Sequence, residues 1–304
     1  MTWVVATSTL SISARIDAET LEAAHRRGGC RWVRSAVGTN GYRYVVLSIA
    51  ALVPSPPILV PELVGAASRA PGADPDDPPA VLRAAVSAAG ATLAGAARHW
   101  TVLGSGDADQ VFGPDARGTF RGYGLDVRVG LSADAADAIA DSGARPDPQL
   151  PLSVLIAGWL RGQVGPDISV RARVLAADTS AERCARAGAD LRAELDATDE
   201  PHAVLVVADG AATLSLKAPG YLDDRAQGCQ RALDLALDAG DRAALLALDP
   251  DLCAELSIAG RPAYQAMAGL FAADSADPSV DTLYRDAPYG VGYHVSLWRP
   301  GGAG

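Results

Sequence analysis

Seven polar side chains occupy loops beside short apolar runs, and their types limit the chemistry open to them. Ser55 lies in Pro54-Ser55-Pro56-Pro57, directly after the apolar run Leu47–Val53. Asp107 follows the run at 100–103, Asp209, Ser215, Lys217 and Tyr221 follow the run at 203–208, and Tyr289 precedes the run at 290–297. In open α/β sheets ligands bind beyond the carboxyl ends of the strands, so these loops form the candidate cleft. It would hold hydroxyls, carboxylates and one amine, a set suited to a polar ligand. Lys217 is the only lysine in a chain whose other basic residues are arginine. Such an amine could face an acidic ligand, act as a base, or join a salt bridge, and the last is the commonest fate. Ser55, Asp107 and Lys217 are the catalytic candidates. Ser55 lacks an evident histidine base, which weakens a hydrolase reading.

The elements that must position these residues alternate along the chain. Strands are expected at Leu47–Val53, 100–103, 125–129, 168–175, 203–208 and 290–297. Helices are expected at 81–98, 150–161, 180–195, 223–237 and 242–256, with a Pro- and Asp-rich surface loop at 68–80. Strands separated by helices of this length specify an α/β fold: a central, largely parallel or mixed sheet with helices on both faces, in a single domain.

Composition narrows the partners. The chain has 304 residues, 49% of them hydrophobic, enough for one full core. Its formal net charge is −10, which disfavours phosphate backbones and anionic lipid, so no nucleic-acid or membrane partner is expected. No apolar run approaches the roughly 20 residues of a membrane span, and the amino terminus does not resemble a secretory signal. A cytoplasmic location is the default expectation. Cys30, Cys184, Cys229 and Cys253 form no C-x-x-C pair, so buried or half-buried thiols are expected in place of a zinc site or disulfides.

Residues 1–45 carry six arginines and three acids, against the acidic balance of the remainder. They read as a poorly ordered extension or an upstream mis-assignment, with the folded core starting near Val46. Deleting them is expected to leave the melting temperature nearly unchanged; a drop of many degrees would place them in the core.

Three ordered segments carry a family resemblance over roughly residues 46–298. They are VPSPPILVPELVG at 53–65, ADGA with KAPGYLDDRA within 208–226, and DAPYGVGYHVSLW at 286–298. Together they resemble the class III extradiol ring-cleavage dioxygenases, subunit-B superfamily. The resemblance implies a Fe(II) cofactor whose first histidine ligand falls at Ser55, whose second falls in the loop holding Ser105, Asp107 and Asp109, and whose acid/base histidine falls at Ala212. A serine hydroxyl is a poor ligand for Fe(II), and alanine moves no proton. The histidines that the chain does contain are His25, His99, His202 and His294, and structural roles suit each of them better. Glu62 is expected to cap the segment that follows it.

No iron or other cofactor is therefore expected. The expectation is a subunit-B-like protein without iron-dependent ring cleavage, binding a small ligand or a protein partner in the former cleft. One alternative is an enzyme holding magnesium or manganese on carboxylates such as Asp107 and Asp209. Another is a structural subunit of a hetero-oligomer; a homodimer is also compatible with the sequence.

Overall fold

In β1 (Leu47–Val53), Ile49, Ala51 and Val53 turn to one side of the sheet while Ala50 and Leu52 turn to the other, and all five are buried. A strand buried on both faces needs a layer of helices on each side. The computed structural model, which describes residues 47–64, 77–141 and 143–301, has that arrangement. The expectation for residues 1–45 falls outside the described residues, as does most of the 68–80 loop.

The sheet has seven strands. At its centre β2 (His99–Gly106), β6 (Ser169–Ala176) and β7 (His202–Val207) run parallel to β1. The edges are antiparallel: β3 (Gln110–Phe112) on β6, then β9 (Tyr293–Gly301) on β1 and β8 (Ala276–Asp286) outside β9. The order is β3-β6-β2-β7-β1-β9-β8, so the fold is α/β with a mixed sheet. A separate two-stranded ribbon joins β4 (Arg117–Thr119) to β5 (Arg128–Gly130).

One face is covered by α1 (Pro78–Ala96) and α3 (Leu152–Val164), and α2 (Ala133–Asp141) packs near β5. Helix α1 starts three residues before the expected helix, within the expected loop, because Pro78 and Pro79 fit a first turn whose N–H groups need no partner. At 19 residues and a mean hydropathy of 1.2 it is long and apolar enough to cross a membrane, contrary to the expectation of no such run. Its Leu82, Val86, Ala89 and Leu93 join the core cluster beside β1.

The other face carries α4 (Ala181–Asp196), α5 (Ala226–Ala239), α6 (Arg242–Leu246), α7 (Pro250–Glu255) and α8 (Arg261–Leu270). The single helix expected at 242–256 is two. Pro250 disfavours a helical conformation at Asp249, which takes ψ 121° and caps α7 by accepting from the N–H groups of Asp251 and Leu252. Among the described residues Glu62 makes no capping hydrogen bond; it is an exposed side chain in the short 3-10 turn Pro61–Leu63.

Helix α8, expected from no sequence pattern, is buried along its whole length. Its two long polar residues are satisfied internally. Arg261 donates to the carbonyls of Ala177 (2.6 Å) and Thr179 (2.9 Å) and to Gln265 Oε1 (2.8 Å). The Gln265 amide donates to the carbonyls of Leu246 and Leu248. These bonds tie α8 to the β6–α4 loop and to the end of α6. Cys184, Cys229 and Cys253 are free thiols, and burial pushes those of Cys184 and Cys253 up to about 11.

Candidate functional site

β1 and β7 end side by side, and the Ala208 N–H still reaches the Val53 carbonyl at 3.0 Å. One step further, Pro54 stops β1 and Ser55 meets Asp209. The Ser55 N–H donates to Asp209 Oδ1 at 2.9 Å, and the Ser55 hydroxyl donates to Asp209 Oδ2. Ser55 is buried. Asp209 keeps some accessible surface as a residue, but its carboxyl group is enclosed by protein, and that burial raises its pKa against the two hydrogen bonds from Ser55. No cation pairs with it among the described residues. Tyr264 and Tyr293 are buried within reach of its charge, and burial holds both phenols above their ordinary pKa.

Backbone bonds hold the loop after β7 in place. The Gly260 N–H donates to the Asp209 carbonyl, Gly210 and Ala211 exchange bonds with Gly292, and the Ala212 N–H reaches the Leu256 carbonyl. Ala212, where the resemblance calls for an acid/base histidine, is a half-buried methyl packed on the core.

The other expected site residues divide. Ser215 stands against Gly290, where a β-carbon would lie 2.3 Å from its hydroxyl. Tyr289 is partly exposed, in the electrostatic range of Asp77 and Arg83, with its pKa raised by burial. Asp107, Lys217 and Tyr221 are exposed, and none makes a side-chain hydrogen bond or ion pair among the described residues. At the carboxyl end of β2, Ser105 donates to the Ala259 carbonyl at 2.6 Å. Asp109 accepts from the Ala176 N–H and pairs with Arg183, and the backbone bond leads in holding its pKa low. The structure thus couples Ser55 with Asp209 and leaves Asp107 and Lys217 in solvent. Among the described residues, no group of three or more His, Cys, Asp or Glu side chains is arranged to hold a metal ion.

Three of the histidines lie away from this pair. His99 and His202 open β2 and β7 at the amino ends, paired in register with ring centroids 5.6 Å apart. His294 is buried in β9, with Nε2 3.0 Å from Asp238, and desolvation lowers its pKa.

Beside the Ser55–Asp209 pair the sequence reading missed a polar stripe on α5. Gln230, Asp234 and Asp238 recur at four-residue spacing, the interval that places side chains on one helix face. Gln230 is buried; its Oε1 accepts from the Ala211 N–H and its Nε2 donates to Asp234 Oδ1, both at 2.8 Å. Asp238 binds the Thr282 hydroxyl, Arg285 and His294. A cleft of about 630 Å³ opens over this stripe, lined in part by Ser215, Gln230, Asp234, Arg285 and Gly290. Of the expected site residues, only Ser215 lines it.

No family model and no curated protein matches the chain. Among solved structures it is similar to the crystal structure of the uncharacterized protein JW3007 from Escherichia coli K12. That similarity has 11% sequence identity and a TM-score of 0.48, covering 83% of this chain and 99% of the other.

Proposed function

We propose that the chain is a class III extradiol dioxygenase subunit-B-like protein that does not cleave rings with histidine-held iron. In this reading it binds a small ligand or a protein partner at the strand-end cleft. The observation that carries the reading is the Ser55–Asp209 pair. Where the resemblance calls for an iron-binding imidazole stands a hydroxyl, and that hydroxyl already donates to a carboxyl group. Burial raises the pKa of that carboxyl group, and no cation pairs with it among the described residues. A desolvated Asp209 carboxyl group with a serine hydroxyl beside it suits hydrogen bonding to a polar ligand. The acidic net charge favours small-molecule or protein partners over nucleic acid.

The carboxylate-metal alternative draws no support from the geometry, because Asp107 is in solvent while the Asp209 carboxyl is enclosed and bound to Ser55. Metal analysis of the purified full chain, with oxygen uptake on catechol and protocatechuate, tests the proposal. Iron far below one equivalent and no oxygen uptake after reconstitution with Fe(II) are expected. Stoichiometric iron with ring cleavage would overturn it.

A further inference from the structure

We propose that the cleft over α5 binds a free α-amino acid with an apolar side chain, its ammonium on Asp234 and its carboxylate on Arg231. This inference does not depend on the dioxygenase-like reading and would survive its loss.

The floor of the cleft is built with unusual constraint. Gln230 is only 7% exposed, and both ends of its amide are committed, one to the Ala211 N–H and one to Asp234 Oδ1. Gly210 and Gly292 flank that amide so closely that a β-carbon at either would lie 2.2 or 2.3 Å from Gln230 atoms. Two positions without side chains therefore make room for one amide, and that amide fixes one oxygen of Asp234. The other Asp234 oxygen accepts no hydrogen bond among the described residues, and Asp234 lines the cleft.

Arg231 also lines the cleft, three residues before Asp234 on the same helix. Opposite charges at that spacing commonly pair. Here they form no ion pair: one Asp234 oxygen accepts from Gln230, and Arg231 has no ion pair among the described residues. Asp224, which also lines the cleft, has no ion pair among the described residues, whereas Arg285 pairs with Asp238 and Asp223 with Arg225. Among the described residues the cleft thus presents one guanidinium, Arg231, and two carboxyl groups, Asp224 and Asp234, without an ion pair, one Asp234 oxygen being taken by Gln230. It also carries Leu222 (42% exposed) and Leu235 (60% exposed), which a soluble fold gains nothing by displaying together. A zwitterion with an apolar side chain complements all three features. The volume of about 630 Å³ accommodates a molecule of that size.

The test is calorimetric titration and thermal shift of the full chain with the standard amino acids at millimolar concentration. Leucinamide, which keeps only the ammonium charge, and N-acetyl-leucine, which keeps only the carboxylate, serve as single-charge probes. At least one apolar amino acid is expected to bind, with each single-charge probe weaker by about tenfold or more, since each loses a charge-assisted bond. Asp234→Asn and Arg231→Gln should each weaken binding by a similar factor at unchanged melting temperature. Ser55→Ala should leave it intact, which separates this site from the strand-end pair. Absence of binding across the panel, or undiminished binding in Asp234→Asn and Arg231→Gln, would overturn the proposal.

Discussion

Gly188→Ala is expected to cost about 3 kcal/mol or more, or to prevent folding, although it adds one methyl group to a helix. Helices α4 and α8 touch backbone to backbone at this point. A β-carbon on Gly188 would lie 1.8 Å from the Ala266 carbonyl oxygen, and one on Gly269 would lie 2.0 Å from the Ala185 carbonyl oxygen. Neither helix can retreat cheaply, because α8 is buried over its full length and pinned at Arg261 and Gln265 by four hydrogen bonds to carbonyls outside it. The same change at Gly162, near the end of α3, should do the reverse. A β-carbon there meets nothing within 4 Å, so alanine gains the ordinary helix preference of about 1 kcal/mol. Denaturant midpoints of the two variants against the parent decide the matter. If Gly188→Ala unfolded at the parent midpoint, the helix contact would be looser than its geometry implies.

That contact shows where the sequence was silent. β1 and β7 were legible because each is a continuous apolar run in the middle of the sheet, buried on both faces. α8 reads RPAYQAMAGL, and Arg261 and Gln265, four residues apart, mark a polar face that the fold nevertheless buries, since every residue is inner. Its arginine and glutamine look like surface residues until their carbonyl partners, far away in sequence, are in place. β8 was missed for the opposite reason. It is an edge strand with most side chains in solvent, containing Pro278 and several aspartates that lower strand propensity. It exists because β9 offers it a ladder.

The site divides in the same way. Ser55 and Asp209 could be found because a strand followed by proline or glycine marks a carboxyl-end loop, and adjacent parallel strands bring such loops together. Lys217 was singled out on composition, which says nothing about direction, and its side chain is exposed. The Gln230, Asp234 and Asp238 stripe was readable from its four-residue spacing. The unpaired state of Arg231 was not, because its three-residue spacing to Asp234 is equally compatible with an ion pair.

Asp209→Asn is expected to leave the protein at least as stable as the parent at neutral pH, and Asp209→Ala to destabilise it by ~1–3 kcal/mol. The contrast follows from what Ser55 needs. Its N–H and hydroxyl both point at residue 209, and an asparagine keeps an oxygen for the first and an amide group for the second, whereas alanine strands both in a buried place. The charge acts separately. Burial raises the Asp209 pKa above 3.8, so the folded chain holds this proton more tightly than the unfolded one. Its contribution to stability is then complete below 3.8 and is lost as pH rises through the folded value. Asparagine has no such titration, so the advantage of Asp209→Asn should open as pH is raised from about 4 toward 7. Denaturation curves of both proteins across that interval measure the difference. Were the parent to gain on the asparagine variant as pH rises, the carboxylate would be stabilised in its ionised form, and a cation beside it would have to be sought. The expected sign means instead that a neutral amide would serve the fold as well as the acid, and that the acid stands at the strand ends at a cost to stability. Carboxyl groups held in that condition are enriched at functional sites. Asp209→Asn, stable and uncharged, is therefore the variant in which loss of ligand or partner binding at the strand ends can be assigned to chemistry and not to unfolding.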